Sequence, residues 1–318
     1  MGIRIAWADA AGKKIGDGKY GNILKDAGLN WTVEKEPIYF QDGNKKIAVN
    51  GRYAMVRSDN KHAIGLVGND YTAFQNHQLL DWANGLREFV DVQFHSAGEL
   101  HGGKRVWLML RLDEKAWKWN GGEVFPRFFL GNAHDGSKTL TLTPSTIDVI
   151  CQNALNMAFK NVAMVDGFRI HHGAEIVHKA REAQKLVIQC SEAWKETRRD
   201  LDVLAHFPVK PGIVDTLLEE VFGKIEKDAS KAKVTRRKNL KDSVMDVYNG
   251  DHGKTARGEN LWNAFSAVTE IIDHESPFHS ESDGEAVSEA HARFESNVLG
   301  VNAKRKAQLF DFALSIAK

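Results

Sequence analysis

The sequence predicts an α+β fold in which an antiparallel sheet flanked by helices is followed by a helical C-terminal region. Three observations lead there. Between residues 92 and 143, four short segments alternate apolar with polar or aromatic positions, the period of a strand, and tight turns join them. Before and after this block, apolar residues recur at helical spacing. Beyond Gly173 the helical spacing continues almost to the end of the chain. The expected units are an α+β core over 1–173 and a helical region over 174–318, the latter carrying a basic segment at 224–241.

The glycine-rich opening reads as a short helix from Asn22 to Ala27 stopped by Gly28, a strand from Leu29 to Val33 and a turn at Asp42-Gly43-Asn44. Arg52 to Arg57 and Ala63 to Val67 form a hairpin around Ser58-Asp59-Asn60. Leu79, Leu80, Trp82, Ala83 and Leu86 predict a helix from Asn76 to Val90. Strands follow at 92–100, 105–112, 124–130 and 139–143, with Gly102-Gly103 turning between the first two. Pro144-Ser145-Thr146 reads as a helix start, continued by the stripe Ile147, Ile150, Cys151, Ala154, Leu155 and Ala158.

In the C-terminal region Ile176, Ala180, Ala183, Val187, Cys190, Trp194, Thr197, Leu201 and Leu204 make a heptad-like seam. Such a seam packs within its own chain or pairs with a neighbouring subunit. Pro208 and Pro211 end it, and helices near 212–224, 260–272 and 302–317 complete the region.

A chain of 318 residues with 42% hydrophobic and 27% charged residues has material for one large or two smaller cores. No segment has the apolar length of a membrane span, and the residues after Met1 lack a signal peptide's apolar run, so a cytoplasmic protein is expected. Cys151 and Cys190 are too few for a disulfide framework, have no CxxC spacing, and are expected as buried thiols.

The strand block has two faces. Val106, Leu108, Leu110 and Leu112 share one side of their strand, whereas Arg105, Trp107, Met109 and Arg111 share the other. In the next strand Val124, Phe128 and Leu130 oppose Phe125, Arg127 and Phe129, with Pro126 interrupting the run. An exposed face of rings and guanidinium groups would stack bases and hold phosphates. Covered by a helix or a second subunit, the same face would be core, its arginines reaching for the rim.

The formal charge of +1 conceals an uneven distribution. Lys224 to Lys241 holds eight Lys or Arg against two acidic residues, densest at Arg236-Arg237-Lys238, whereas Glu270 to Glu289 holds seven acidic residues and no Lys or Arg. The basic run suits phosphates, an acidic partner surface or simply solvent.

Thirteen histidines include the pairs His134-Asp135, His171-His172 and Asp273-His274, yet none has the spacing of a zinc or metalloprotease motif. The glycines match no phosphate-binding loop or dinucleotide fingerprint, so neither cofactor nor enzyme activity is expected. Cys151 in a triad is the remaining catalytic alternative, set against a core cysteine. His134 with Lys138 either approaches a phosphate at the end of the basic-aromatic face or belongs to a structural turn. The amide pairs Gln75-Asn76 and Gln152-Asn153 either satisfy backbone groups or touch base edges.

The ordered motifs AGLNWTVEKEPIY, GRYAMVRSDN, GLVGNDYTAFQN, SAGELHGGKRVW, GNAHDGS, LTPSTIDVICQNALNMAF, FRIHH, NLWNAFSAVTEIIDH and ESNVLGVNAKRKAQLFDFAL resemble a phage- and plasmid-associated family that carries a domain of unknown function. The order helix, antiparallel strands, helix is also similar to the core of single-strand annealing proteins, both the eukaryotic Rad-type protein and the phage RecT and Red-beta proteins. That likeness implies rings or filaments with single-stranded DNA in a basic groove between sheet and helices. Arg105, Arg111, Arg127 and Lys138 would then line the groove, with Trp107 and Phe129 beside them and Arg236, Arg237 and Lys238 adding grip.

The expectation is therefore a homo-oligomeric, single-stranded-DNA-binding protein that anneals strands without ATP. A host replication or recombination protein is a candidate further partner. The alternative is an accessory factor that binds a host protein through the heptad-like helix.

Overall fold

The computed structural model describes residues 11–15, 22–112, 117–119, 122–148, 154–155, 168–184, 187–275, 281–282, 285–298 and 300–318. After β1 (Lys13–Lys14) and α1 (Ile23–Ala27), three strands, β2 (Val33–Asp42), β3 (Lys45–Arg57) and β4 (Ala63–Gly68), form a small antiparallel sheet in sequential order. Helix α2 (Asn76–Gly85) leads into the larger antiparallel sheet. Its strands are β5 (Val92–Leu100), β6 (Arg105–Leu112), β7 (Trp117–Trp119), β8 (Gly122–Ala133), β9 (Leu140–Asp148), β10 (Ala154–Leu155) and β11 (Phe168–Ile170). They run in the order β1-β5-β6-β8-β9-β10, with β7 paired to β8 and β11 to β9.

The helical region follows as α3 (Ile176–Gln184), α4 (Val187–His206), α5 (Ile213–Phe222), α6 (Lys231–Asn249) and α7 (Leu261–His274). A short hairpin of β12 (Glu281–Ser282) and β13 (Glu285–Ala286) precedes α8 (Glu289–Val298) and α9 (Val301–Ala317). The α+β class and the antiparallel pairing are those the sequence predicts.

Two prolines lie inside strands of the large sheet, and the register shows how it accommodates them. Along one edge of β8, pairing to β6 reaches Arg127 and pairing to β7 begins at Val124, so Pro126 falls between the two. Along the outer edge of β9, β11 pairs with Leu140 to Leu142 and β10 with Thr146 and Ile147, which leaves Pro144 in the gap. Neither gap needs the N–H that proline lacks. The predicted helix start at Pro144-Ser145-Thr146 is corrected accordingly: these residues continue β9 opposite Phe128, Arg127 and Pro126. Ala154 and Leu155, assigned to the same helix, pair with β9 as β10. Ile150, Cys151, Gln152, Asn153 and Ala158 lie outside the described residues.

The aliphatic face of the sheet is core. Val106, Leu108, Leu110, Phe128, Leu130 and Leu142 are buried with Leu79, Leu80, Trp82 and Ala83 of α2. The Trp82 indole N–H donates to the Ala180 carbonyl at 2.6 Å, tying α2 to α3. The heptad-like seam is divided between α3 and α4, and its described side chains Ile176, Ala180, Thr197, Leu201 and Leu204 are buried within the chain.

The opposite face is core as well. Phe294 of α8 lies with its ring centroid 4.5 Å from that of Trp107 and 6.0 Å from that of Phe129. These three residues form a second cluster with Met109, Leu100, Ala11 and Val298. Polar contacts hold α8 in place. Lys306 of α9 pairs with Asp273 of α7 at 2.6 Å, both side chains essentially inaccessible. The Asp273 carbonyl accepts from Asn297 Nδ2 at 3.1 Å and from Arg293 Nη1 at 3.3 Å, both on α8. Asn302 Nδ2 donates to Ile272 O at 3.2 Å and to Asn297 Oδ1 at 2.9 Å. The C-terminal end of α7 is thus the anchor for the helix that covers the sheet.

Phe294→Ala should leave a cavity between Trp107 and Phe129 and cost about 3–5 kcal/mol. A lowered urea midpoint with an unchanged slope would be the expected result, and an unchanged midpoint would show that α8 contributes little to the core.

Candidate nucleic-acid interface

The residues singled out for DNA contact separate into three groups. Trp107 and Phe129 are each only 1% exposed, which leaves no ring surface for a base. Arg127 is buried at 4% and its Nη1 lies 3.1 Å from Nδ1 of His95. Arg105 is bound to Glu295 of α8, and the same carboxylate is 2.8 Å from Nε2 of His101. Arg111, half-buried opposite Arg127, donates to Gln93 Oε1 at 2.9 Å and lies 5.8 Å from the Phe125 ring centre. The expected groove across this face is therefore corrected to a covered interior layer. Desolvated guanidinium groups need partners, and these have them.

Lys138 is exposed on the turn between β8 and β9, but its expected companion His134 is fully buried. The Asn76 amide N–H groups donate to the Leu29 and Trp31 carbonyls, each at 3.1 Å. Asn76 Oδ1 is thereby left as the acceptor for His134 Nε2 at 2.9 Å, which assigns the proton of the neutral imidazole to Nε2. His134 Nδ1 is buried without a partner among the described residues, and the ring meets Trp31 edge-on at 5.4 Å. Burial, then the neighbouring His172 and Arg57, lower the His134 pKa to about 3. The structural reading of the turn is correct here: Asp135 Oδ1 accepts from the Ser137 amide at 2.9 Å and its hydroxyl at 2.6 Å.

Gln75 likewise serves the backbone. Its side chain exchanges two 2.9 Å hydrogen bonds with the Val33 amide and carbonyl. Arg57, also buried, joins the two sheets. It stacks over Trp31 at 4.1 Å, contacts both Glu99 oxygens at 3.0 Å and donates to the Gly102 carbonyl at 2.9 Å.

The third group remains outside. Residues 231–241 of the basic segment form the first half of α6, where the Ser230 side chain caps the helix by accepting from the Lys233 amide at 3.3 Å. Residues 231–236, 238 and 239 are exposed, and the core begins only at Val244. Lys231, Lys233, Arg236 and Lys238 have no ion-pair partner among the described residues. Arg237 folds back, donating to the Gly223 carbonyl at 2.8 Å, and both it and Arg305 lie 5.9 Å from the Phe222 ring centre. Lys241 alone of the group is neutralised, by Asp215 at 2.8 Å.

This arrangement opposes local helix preference. Cations in the first turns face the positive end of the helix dipole and repel one another at spacings of three and four. A bound anion would relieve both effects. α6 packs chiefly against α7, the 251–255 segment and α5, and its basic residues are not brought onto the sheet face.

The family profile described as Domain of unknown function (DUF932) matches residues 63–295. The chain belongs to the DUF932 family. The DUF932 region begins with β4, contains the large sheet from β5 onward and the basic half of α6, and ends at Glu295, the residue that neutralises Arg105. It leaves the β2–β3 hairpin and α9 outside. No curated protein and no solved structure gives a significant match. Among the described residues of this DUF932 protein, no helix is long and apolar enough to cross a membrane, and no three His, Cys, Asp or Glu side chains gather as a metal-binding group.

His134, His172 and His291 all have pKa values lowered chiefly by burial. Each takes up a proton more readily when unfolded, so the folded state loses stability as pH falls below about 6.5, the His134 share continuing down to about 3. Chemical denaturation should give a lower midpoint at pH 5 than at pH 7.5, and His134→Gln should flatten that dependence. Equal midpoints for the parent protein would contradict the assignment.

Proposed function

We propose that this DUF932 protein binds single-stranded DNA through the exposed basic half of α6 and promotes annealing without ATP, acting as an oligomer in the cytoplasm on behalf of a phage or other mobile element. The carrying observation is the group Lys231, Lys233, Arg236 and Lys238, exposed together on two unpacked helical turns without carboxylate partners among the described residues. A chain of formal charge +1 that concentrates cations in this way has a local field suited to a polyanion. The likeness of the ordered motifs to the phage- and plasmid-associated family supports the mobile-element setting. Annealing needs no covalent step: neutralising phosphates while leaving bases free lets complementary strands search for one another.

The contact surface differs from the one the strand pattern suggests. Phosphates meet α6, and the sheet's second face takes no part because α8 occupies it. The alternative accessory-factor reading relied on the seam of α3 and α4, whose described side chains are buried inside the chain.

Arg236→Glu with Lys238→Glu should weaken binding to an oligonucleotide of arbitrary sequence by tenfold or more. It should also lower the salt dependence of the affinity, since two phosphate contacts account for about 1.4 of the log–log slope on a single strand. Pairing of complementary strands, followed by fluorescence quenching without nucleotide, should slow in parallel. Parent protein that ignores single-stranded DNA at low salt would refute the proposal.

A further inference from the structure

The β2–β3 hairpin continues well beyond the sheet to which it belongs. β4 pairs with β3 only over Arg52 to Val56, so the outer part of the hairpin is a two-stranded ribbon. The ribbon is set off by a register shift between Pro37 and Tyr39, where β3 carries extra residues around Gly51, whose φ of 75° suits glycine. Its tip turns through Gly43, at a φ of 57°, and Asn44. Every residue from 39 to 48 is exposed, and the four strand residues on each side of the turn reach about 14 Å.

Tyr39 at 54% and Phe40 at 52% carry large aromatic side chains out into solvent. Adjacent in a strand, they point to opposite faces of the ribbon. Cross-strand register sets Phe40 opposite Ile47 and Asp42 opposite Lys45 on one face, and Tyr39 opposite Ala48 and Gln41 opposite Lys46 on the other. Each face therefore carries one ring and, towards the tip, one lysine.

We infer that this ribbon is a base-stacking arm, on which unpaired bases of a nucleic-acid strand lie against Tyr39 and Phe40 while Lys45 and Lys46 meet the adjoining phosphates. This rests on the proposed DNA-binding function and adds the element that contacts the bases. The arm lies outside the DUF932 match, so it is a feature of this chain's own N-terminal part. Charge favours a polyanion, since the outer ribbon holds two lysines against the single carboxylate of Asp42. Ring placement favours bases over a second copy of the chain. A protein interface gathers apolar side chains into one patch, whereas these two rings face away from each other. Stacking needs only one ring face per base and tolerates any sequence.

The test uses the full chain and a fluorescein-labelled oligothymidine. Tyr39→Ala with Phe40→Ala should lower affinity about tenfold to a hundredfold while leaving the salt slope unchanged, because neutral rings are removed. Tyr39→Trp with Phe40→Trp should restore binding. In the unmodified protein, photocrosslinking to an iodouracil-substituted strand should map to Tyr39 or Phe40, a readout that does not depend on a variant folding. Undiminished binding by the double-alanine protein, or crosslinks confined to other segments, would overturn the arm while leaving the α6 reading intact. Loss of binding accompanied by a fall in molar mass by light scattering would overturn it in favour of self-association. Failure of the parent protein to bind would remove both.

Discussion

The closure of the large sheet's second face by α8 is the constraint on which the rest of the structure depends. A sheet with rings on one side and aliphatics on the other must bury both if water is to be excluded from Trp107 and Phe129. Phe294 supplies that cover, and Glu295 makes it tolerable for Arg105 by bringing a carboxylate to the edge of the apolar cluster. α8 is held in turn from behind by the Asp273 carbonyl, which accepts from its Arg293 and Asn297, while the Asp273 carboxylate pairs with Lys306 of α9. An ion pair with no access to water adds little net stability.

That closure divides the cations by role. Arg57, Arg105 and Arg127 serve the fold: Arg57 ties the small sheet to the large one, Arg105 ties the large sheet to α8, and Arg127 meets His95 within the large sheet. The exposed residues of α6 join nothing within the described protein. Similar side chains thus serve as structural connectors in one place and as an open electrostatic surface in another, and burial decides which. The amide and imidazole groups follow the same logic. Gln75, Asn76 and His134 look like recognition residues in a sequence, but Gln75 and Asn76 satisfy backbone groups where α2 meets the strands, and His134 donates to the Asn76 side chain.

Much of the fold was legible because its signals are local. Alternation marked the strands at 92–100 and 105–112 to the residue, and helical spacing located α2, α5, α7 and α9 to within a few positions. Pro144 misled because proline opens helices as readily as it fills a gap at a strand edge, and only the register with β10 and β11 distinguishes the two. The outer β2–β3 arm was missed beyond its turn, since strands exposed on both faces show no apolar alternation. α8 escaped notice for a related reason: its few core residues, chiefly Phe294 and Val298, sit one turn apart in a polar sequence.

The sequence by itself determined the α+β class, the two-faced character of the central strands and the concentration of basic charge at 224–241, because periodicity and composition are properties of neighbouring residues. Only the tertiary structure decided which basic and aromatic residues reach solvent. A strand's outward face is exposed or covered according to what folds over it, and here the cover comes from a helix almost two hundred residues further along the chain than Trp107. No local pattern around Arg105 or Phe129 could reveal that contact. The same long-range packing leaves the first turns of α6 and the β2–β3 ribbon exposed among the described residues.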